Sequence, residues 1–163
     1  MEITMKKPFL LWRDDWRLGL EGLDEQHREL VDIINRLHRF VTREDTRHNR
    51  DRNQICQQLS TLVDIARRHF KAEEALMRAK DYPRLAEHHR EHVMLLAELQ
   101  EFLRDIETEN KPFTLATLTA LKHWQIDHVV YSDRLFADFL KRQSQSEDEV
   151  DLDDMTDVQV QPV

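Results

Sequence analysis

His69-Phe70-Lys71-Ala72-Glu73-Glu74-Ala75-Leu76-Met77, a break at Asp81-Tyr82-Pro83, and then His88-His89-Arg90-Glu91-His92 form the stretch on which the fold turns. His69 and Glu73 are four residues apart, and so are His88 and His92. On a helix that spacing stacks two side chains on one face, one turn apart. Two such pairs on helices joined by a tight turn aim four metal-type ligands into one space. Pro83, with its fixed φ and missing N–H, suits the turn or a first helical position.

Working outward, the same stretch lies on two longer apolar seams. The helix before the break reads Ile55, Leu59, Leu62, Ala66, His69, Glu73, Leu76, and the one after it reads Leu85, His88, His92, Leu95, Leu99, Phe102, Ile106. Nearer the start, Leu20, Leu23, His27, Leu30, Ile34, Leu37 and Val41 step alternately by three and four, the repeat of a helix packed at a shallow angle in a bundle. A fourth seam runs Leu118, Leu121, Gln125, His128, Ser132, Leu135, Phe139, with Thr114 placed to cap it. Four seams and three connections predict an all-α, up-down-up-down antiparallel four-helix bundle.

Residues 1–19 have no helical period but carry Phe9, Leu10, Leu11, Trp12 and Trp16, too much apolar surface for a free tail, and read as an arm packed across the bundle. The bundle with its arm is expected over residues 1–142. Thr42 to Asn53 reads as a polar loop with frayed helix ends. The acidic stretch 143–163 lacks aromatics and reads as a disordered tail.

Composition agrees with helices and narrows the function. Charged residues make up 34%, with only two Gly and four Pro, which favours long helices over a turn-rich β fold. The net charge is −8, but 143–163 hold seven acidic residues and no Lys or Arg, leaving −1 on residues 1–142. A nearly neutral body gives no electrostatic reason to expect nucleic acid or an anionic membrane as partner. One cysteine, Cys56, excludes an internal disulfide, and no apolar run approaches the length of a membrane span. A cytoplasmic protein is the expectation.

The seams place His27, His69, Glu73, His88, His92 and His128 in the core, with Asp133 one position past Ser132. At about 1.5 Å per residue, the path from His27 to the first helix end and back to His69 is roughly 22 Å each way. The return from His92 to His128 closes equally well, so the candidate ligands share one layer. Left unpaired, each buried polar group costs roughly 2–7 kcal/mol. Metal removes that penalty. Five imidazoles and two carboxylates exceed the four ligands of one zinc and suit two six-coordinate first-row ions, with nitrogen-rich ligation favouring iron over magnesium or calcium. The Glu-x-x-His pairs of ferritin-like sites are absent, as is the His-Glu-x-x-His of zinc proteases. The other histidines, His38, His48, His89 and His123, read as solvated or locally hydrogen-bonded.

Leu18-Gly19-Leu20 with Asp24-Glu25-Gln26-His27, His69-Phe70 with Glu73-Glu74 and Leu76-Met77, Tyr82-Pro83 with His88 and His92, and Trp124 with His128 and Asp133 resemble the bacterial branch of the hemerythrin family, from about Trp12 to Leu140. The resemblance implies a non-haem di-iron protein. His88, His92 and His128 would hold one iron and His27 and His69 the other, bridged by Glu73, Asp133 and an oxo or hydroxo group. That set fills six positions on the first iron and leaves one open on the second, where the family binds O₂ and reduces it to a hydroperoxide. The implied role is storage, delivery or sensing of O₂ by a binder rather than an enzyme. The alternatives are reduction of nitric oxide or peroxide at the same irons, and a signalling module that reaches a protein partner through 143–163. Leu30, Phe70 and Trp124 would wall the ligand pocket. One residue departs from the family: Gln125 stands where leucine usually follows the tryptophan. A buried amide needs partners; either a pocket ligand or water supplies one, with faster autoxidation or altered ligand preference, or the amide turns to a helix–helix hydrogen bond.

Overall fold

The computed structural model describes residues 7–42, 48–108 and 111–156. Four rods follow the four seams: α1 (Glu21–Val41), α2 (His48–Ala79), α3 (Leu85–Thr108), and a fourth rod made of α4 (Leu115–Asp127), a π-helical segment (His128–Asp133) and α5 (Arg134–Thr156). α1 packs on α2 and α4, and α2 on α3. The all-α four-helix bundle expected from the seams is the observed architecture.

The ends of the rods are set by local chemistry. α2 stops in a Schellman motif: Tyr82 N–H donates to Met77 O at 2.9 Å and Asp81 N–H to Arg78 O at 3.3 Å. The residue between, Asp81, has φ +51, a left-handed conformation that aspartate tolerates better than most residues. Buried Tyr82 then packs on Met77 and Phe136. Thr114 caps α4 as expected, its hydroxyl accepting from Thr117 N–H at 3.2 Å. Arg52 of α2 donates to the terminal carbonyls of Ile106 and Glu107, satisfying groups the end of α3 leaves open.

Buried apolar side chains fall into two clusters. The larger one includes Leu30, Ile34, Leu37, Leu59, Leu62, Leu99, Leu118 and Leu121. A smaller one, Met77, Tyr82 and Phe136, is flanked by Leu20, Leu76, Leu85 and Phe139. Fully burying a leucine is worth about 1.5–3 kcal/mol, so the larger cluster carries most of the apolar stabilisation. The polar layer takes its residues from the turns between the two.

The described part of the arm lies on the bundle through named bonds. Leu10 N–H donates to Asn35 Oδ1 at 2.9 Å while Asn35 Nδ2 donates back to Leu10 O at 2.8 Å. Lys122 Nζ donates to Phe9 O at 2.9 Å, and the Phe9 ring stacks on His38. Buried Asp24 accepts from Leu18 N–H at 2.8 Å and Gly19 N–H at 3.1 Å, holding the turn at Gly19, whose φ is +82. Arg134 donates to Asp15 O.

Three expectations change. α2 begins at His48 rather than near Gln54, because the polar residues there are compatible with helix and contain no Gly or Pro. The last helix continues past Arg142 to Thr156, where the sequence reads as a disordered tail; a polar, aspartate-containing stretch without Gly or Pro does not interrupt a helix already nucleated. The third concerns the fourth seam. Leu135, read as core, is 43% exposed, while Phe136 is fully buried. The π segment adds one residue to the turn and shifts the inward face by one position. Residues 1–6 of the arm, 43–47 of the loop, Asn110, and 157–163 of the tail lie outside the described residues.

Candidate metal centre

Each rod contributes to one buried layer. α1 supplies His27, α2 supplies His69 and Glu73, α3 supplies His88 and His92, and the π segment supplies His128 and Asp133; all seven are buried. In an α-helix five residues rotate the chain by about 500°, leaving Asp133 about 140° off the face of His128. The i→i+5 bonding of a π segment brings the two back to one face. The bulge is therefore what lets one rod supply both.

The donor atoms converge. His27 Nε2 lies 3.0 Å from His69 Nε2, and His92 Nε2 lies 3.0 Å from His128 Nε2. Glu73 Oε2 is 3.1 Å from His88 Nε2, 3.3 Å from His92 Nε2 and 4.0 Å from His69 Nε2. Asp133 reaches both halves, with Oδ2 3.1 Å from His27 Nε2 and Oδ1 3.0 Å from His128 Nε2 and 3.4 Å from His88 Nε2. Two overlapping groups result, Glu73-His88-His92-His128-Asp133 and His27-His69-Asp133, each with its donor atoms within 4.8 Å of one another.

Three of the five imidazoles have an oxygen facing their outward nitrogen. His69 Nδ1 faces Gln26 Oε1 at 3.0 Å, His92 Nδ1 faces Glu74 Oε1 at 2.8 Å, and His128 Nδ1 lies 3.4 Å from Glu91 Oε2. An amide or carboxylate oxygen only accepts, so the proton of each ring is drawn to Nδ1 and a lone pair is left at Nε2. His92 and His128 then present lone pairs to each other across 3.0 Å, a repulsive contact unless a cation lies between. The buried Glu73 Oε1, Asp133 Oδ1 and Asp133 Oδ2 likewise have no hydrogen-bond partner among the described residues. A first-row metal–nitrogen bond of about 2.1 Å separates neighbouring donors by about 3.0 Å in an octahedron and about 3.4 Å in a tetrahedron. The spacing of 3.0 Å matches the six-coordinate case. The residues present fit metal, and the donor chemistry fits first-row ions.

Without metal, protons carry the compensating charge. Burial disfavours the His88 imidazolium, yet the facing carboxylates of Asp133 and Glu73, 3.4 and 3.1 Å away, outweigh it and raise the ring to about 9. His128 is raised for the same reason, with Asp133 the main opposing influence on its burial. His69 moves the other way, to about 4, through burial and the neighbouring His27. Burial pushes Asp133 up, but the imidazoles of His128, His27 and His88 hold it well below the usual carboxylate range.

Around the centre, Phe70 stacks on His92 at 3.9 Å, meets His128 at 5.8 Å and His69 at 5.7 Å, and leans on Trp124. Leu30 is buried in the main core one turn past His27, and Trp124 is half-buried. Gln125 is buried, its Nε2 3.5 Å from His27 O and its Oε1 unpaired. Trp12 of the arm lies 6.2 Å from the His27 ring. His89 and His123 are exposed, and His89 pairs with Glu74.

Sequence reasoning assigned no role to Gln26, Glu74 or Glu91, the outward partners. A signal was present: each is the immediate neighbour of a seam ligand (His27, Glu73 and His92), where a polar side chain sits on the flank of the same helix.

Fold and site together define a four-helix bundle with a buried, histidine-rich centre whose two overlapping donor groups are able to hold metal. Residues 18–140 match the family model described as the hemerythrin HHE cation binding domain. The chain is 31% identical over 133 residues to the bacteriohemerythrin of Stenotrophomonas maltophilia, covering 81% of this chain and 82% of that one. It is 30% identical over 139 residues to the bacteriohemerythrin of Pseudomonas aeruginosa, covering 85% of each. Wild-type hemerythrin superposes with a TM-score of 0.71 at 25% identity, over 79% of this chain and 95% of that chain. The chain belongs to the hemerythrin family.

Proposed function

We propose that this chain binds O₂ reversibly at two iron ions held by His27, His69, Glu73, His88, His92, His128 and Asp133, with Glu73 and Asp133 shared between the ions beside an oxo or hydroxo bridge. One observation carries the reading: the donors divide unevenly, five in one group and three in the other, with Asp133 in both. An ion held by the His27–His69–Asp133 group would have fewer protein donors and so room for an exogenous ligand.

When bound, the iron pair supplies the two electrons that reversible O₂ binding requires. The protein's own part is positional. Gln26, Glu74 and Glu91 orient the imidazoles of His69, His92 and His128. Phe70, Trp124 and Leu30 keep the surroundings apolar, which excludes water and its protons from the pocket. The titratable side chains of the three-donor group, His27, His69 and Asp133, are themselves donors, which favours a binder over a hydrolytic enzyme. Among the described residues no helix is long and apolar enough to cross a membrane, and with the unpaired thiol of Cys56 this supports a cytoplasmic setting.

Turnover of peroxide or nitric oxide is a second reading, favoured by the buried, unpaired oxygen of Gln125. The test is an absorption spectrum of reduced, iron-loaded protein taken without oxygen, then in air, then after oxygen is removed. A new band that appears and is reversed over repeated cycles is expected. Irreversible bleaching on first exposure, or repeated turnover of peroxide or nitric oxide without a stable oxygenated form, would contradict it.

A further inference from the structure

His89 belongs to neither donor group and its side chain is 55% exposed, yet it is bonded toward the centre. Its Nδ1 lies 2.9 Å from Glu74 Oε1, and the same oxygen faces His92 Nδ1 at 2.8 Å. A carboxylate oxygen only accepts, so it takes a proton from each ring. One ring is at the surface and the other is in the buried layer. Both imidazoles stand on α3, whereas the carboxylate comes from α2.

Glu74 has rivals on its own helix. Lys71 precedes it by three residues and Arg78 follows it by four, both exposed, and side chains at those spacings are neighbours on a helix surface. A glutamate four residues before a cation is the favoured order for an ion pair. Glu74 instead reaches across to α3. Holding so long a side chain in one arrangement costs entropy, and a second donor on the same oxygen offsets that cost. The second donor also draws charge from the oxygen, which weakens its pull on His92. The holding effect is the larger, because a carboxylate that swings away loses the whole bond and a shared one loses only part of it.

We infer that His89 is a positioning residue for the metal centre. It holds the Glu74 carboxylate against His92, which keeps the His92 proton on Nδ1 and its lone pair on Nε2, facing the metal. It acts only through Glu74. The inference rests on His92 being a metal donor, as the proposed function has it.

The test uses zinc(II)-loaded protein, in which no redox step intervenes, with each variant checked for helicity. Two quantities are followed: the His92 Nδ1–H proton resonance, which reports the bond to Glu74, and zinc affinity by competition with a chelator. Glu74→Gln removes the charged acceptor and should weaken zinc by about tenfold or more, as losing the outer partner of a metal-bound histidine does. His89→Leu should move the resonance in the same direction and weaken zinc by about threefold, the size of a partly exposed hydrogen bond. Two rescues separate positioning from lost packing. His89→Gln restores an N–H donor, and Lys71→Ala with Arg78→Ala, placed in the His89→Leu background, removes the rivals. Both should return affinity and resonance toward wild type. No shift in His89→Leu, a shift opposite to that of Glu74→Gln, or one that neither rescue reverses would overturn the role of His89 alone. Failure of wild type to bind zinc would overturn the metal-centre reading and this inference with it.

Discussion

At the scale of single residues, the centre is a problem of charge balance. Two buried carboxylates face five imidazoles, and in the metal-free protein His88 supplies part of the balance by keeping its proton up to about 9. A group whose folded pKa is raised contributes stability that is fully present below its ordinary value of 6.5 and is lost as pH rises through about 9. A metal ion needs the neutral ring, so loading releases that proton and the loaded protein does not suffer the same loss. The melting temperatures of metal-free and loaded protein should therefore move apart between pH 6.5 and 9. A gap that stays constant or narrows over this range would contradict the assignment. That these buried donors meet was legible in the sequence, since histidine and glutamate on an apolar seam stand out against leucine. Their outward partners were not, because Gln26, Glu74 and Glu91 look like any polar helix flank until the neighbouring rod is placed beside them.

At the scale of elements, the fourth rod is where sequence period and structure part. A strict alternation of three and four steps selects Ser132 and Leu135 as inward, but the π segment His128–Asp133 hands those positions to Asp133 and Phe136. No sequence period encodes one extra residue in a turn; what could be seen was an acid displaced by one from its seam. The bulge makes a test possible. Tyr131 is 68% exposed, so deleting it removes little packing and leaves His128 and the aspartate four apart, on one face of an ordinary helix. That variant should keep its helicity and metal. Inserting one alanine after Tyr131 should rotate Asp133 out of the layer and lower the metal content at similar helicity. Full metal content in the insertion variant would show that the register of this segment does not control the site. The long start of α2 and the continuation of α5 have a different cause. Both are polar sequences without breakers, in which no apolar seam marks where helix ends and loop begins.

At the scale of the whole molecule, the bundle is two apolar clusters with a polar layer between them. The layer was legible as a layer, because helix lengths alone return His27 to His69 and His92 to His128 at one height. The apolar clusters can hold the rods together, but they cannot relieve the imidazole lone pairs and carboxylate oxygens left facing one another. Binding energy for ions that occupy only the folded layer adds directly to stability. The most direct measurement is metal content per chain in protein purified without chelator, taken together with its unfolding transition before and after metal removal. The account predicts two ions per chain, one for each overlapping donor group, and a lower transition once they are withdrawn. One ion or none per chain, with helices and transition unchanged by chelation, would contradict it.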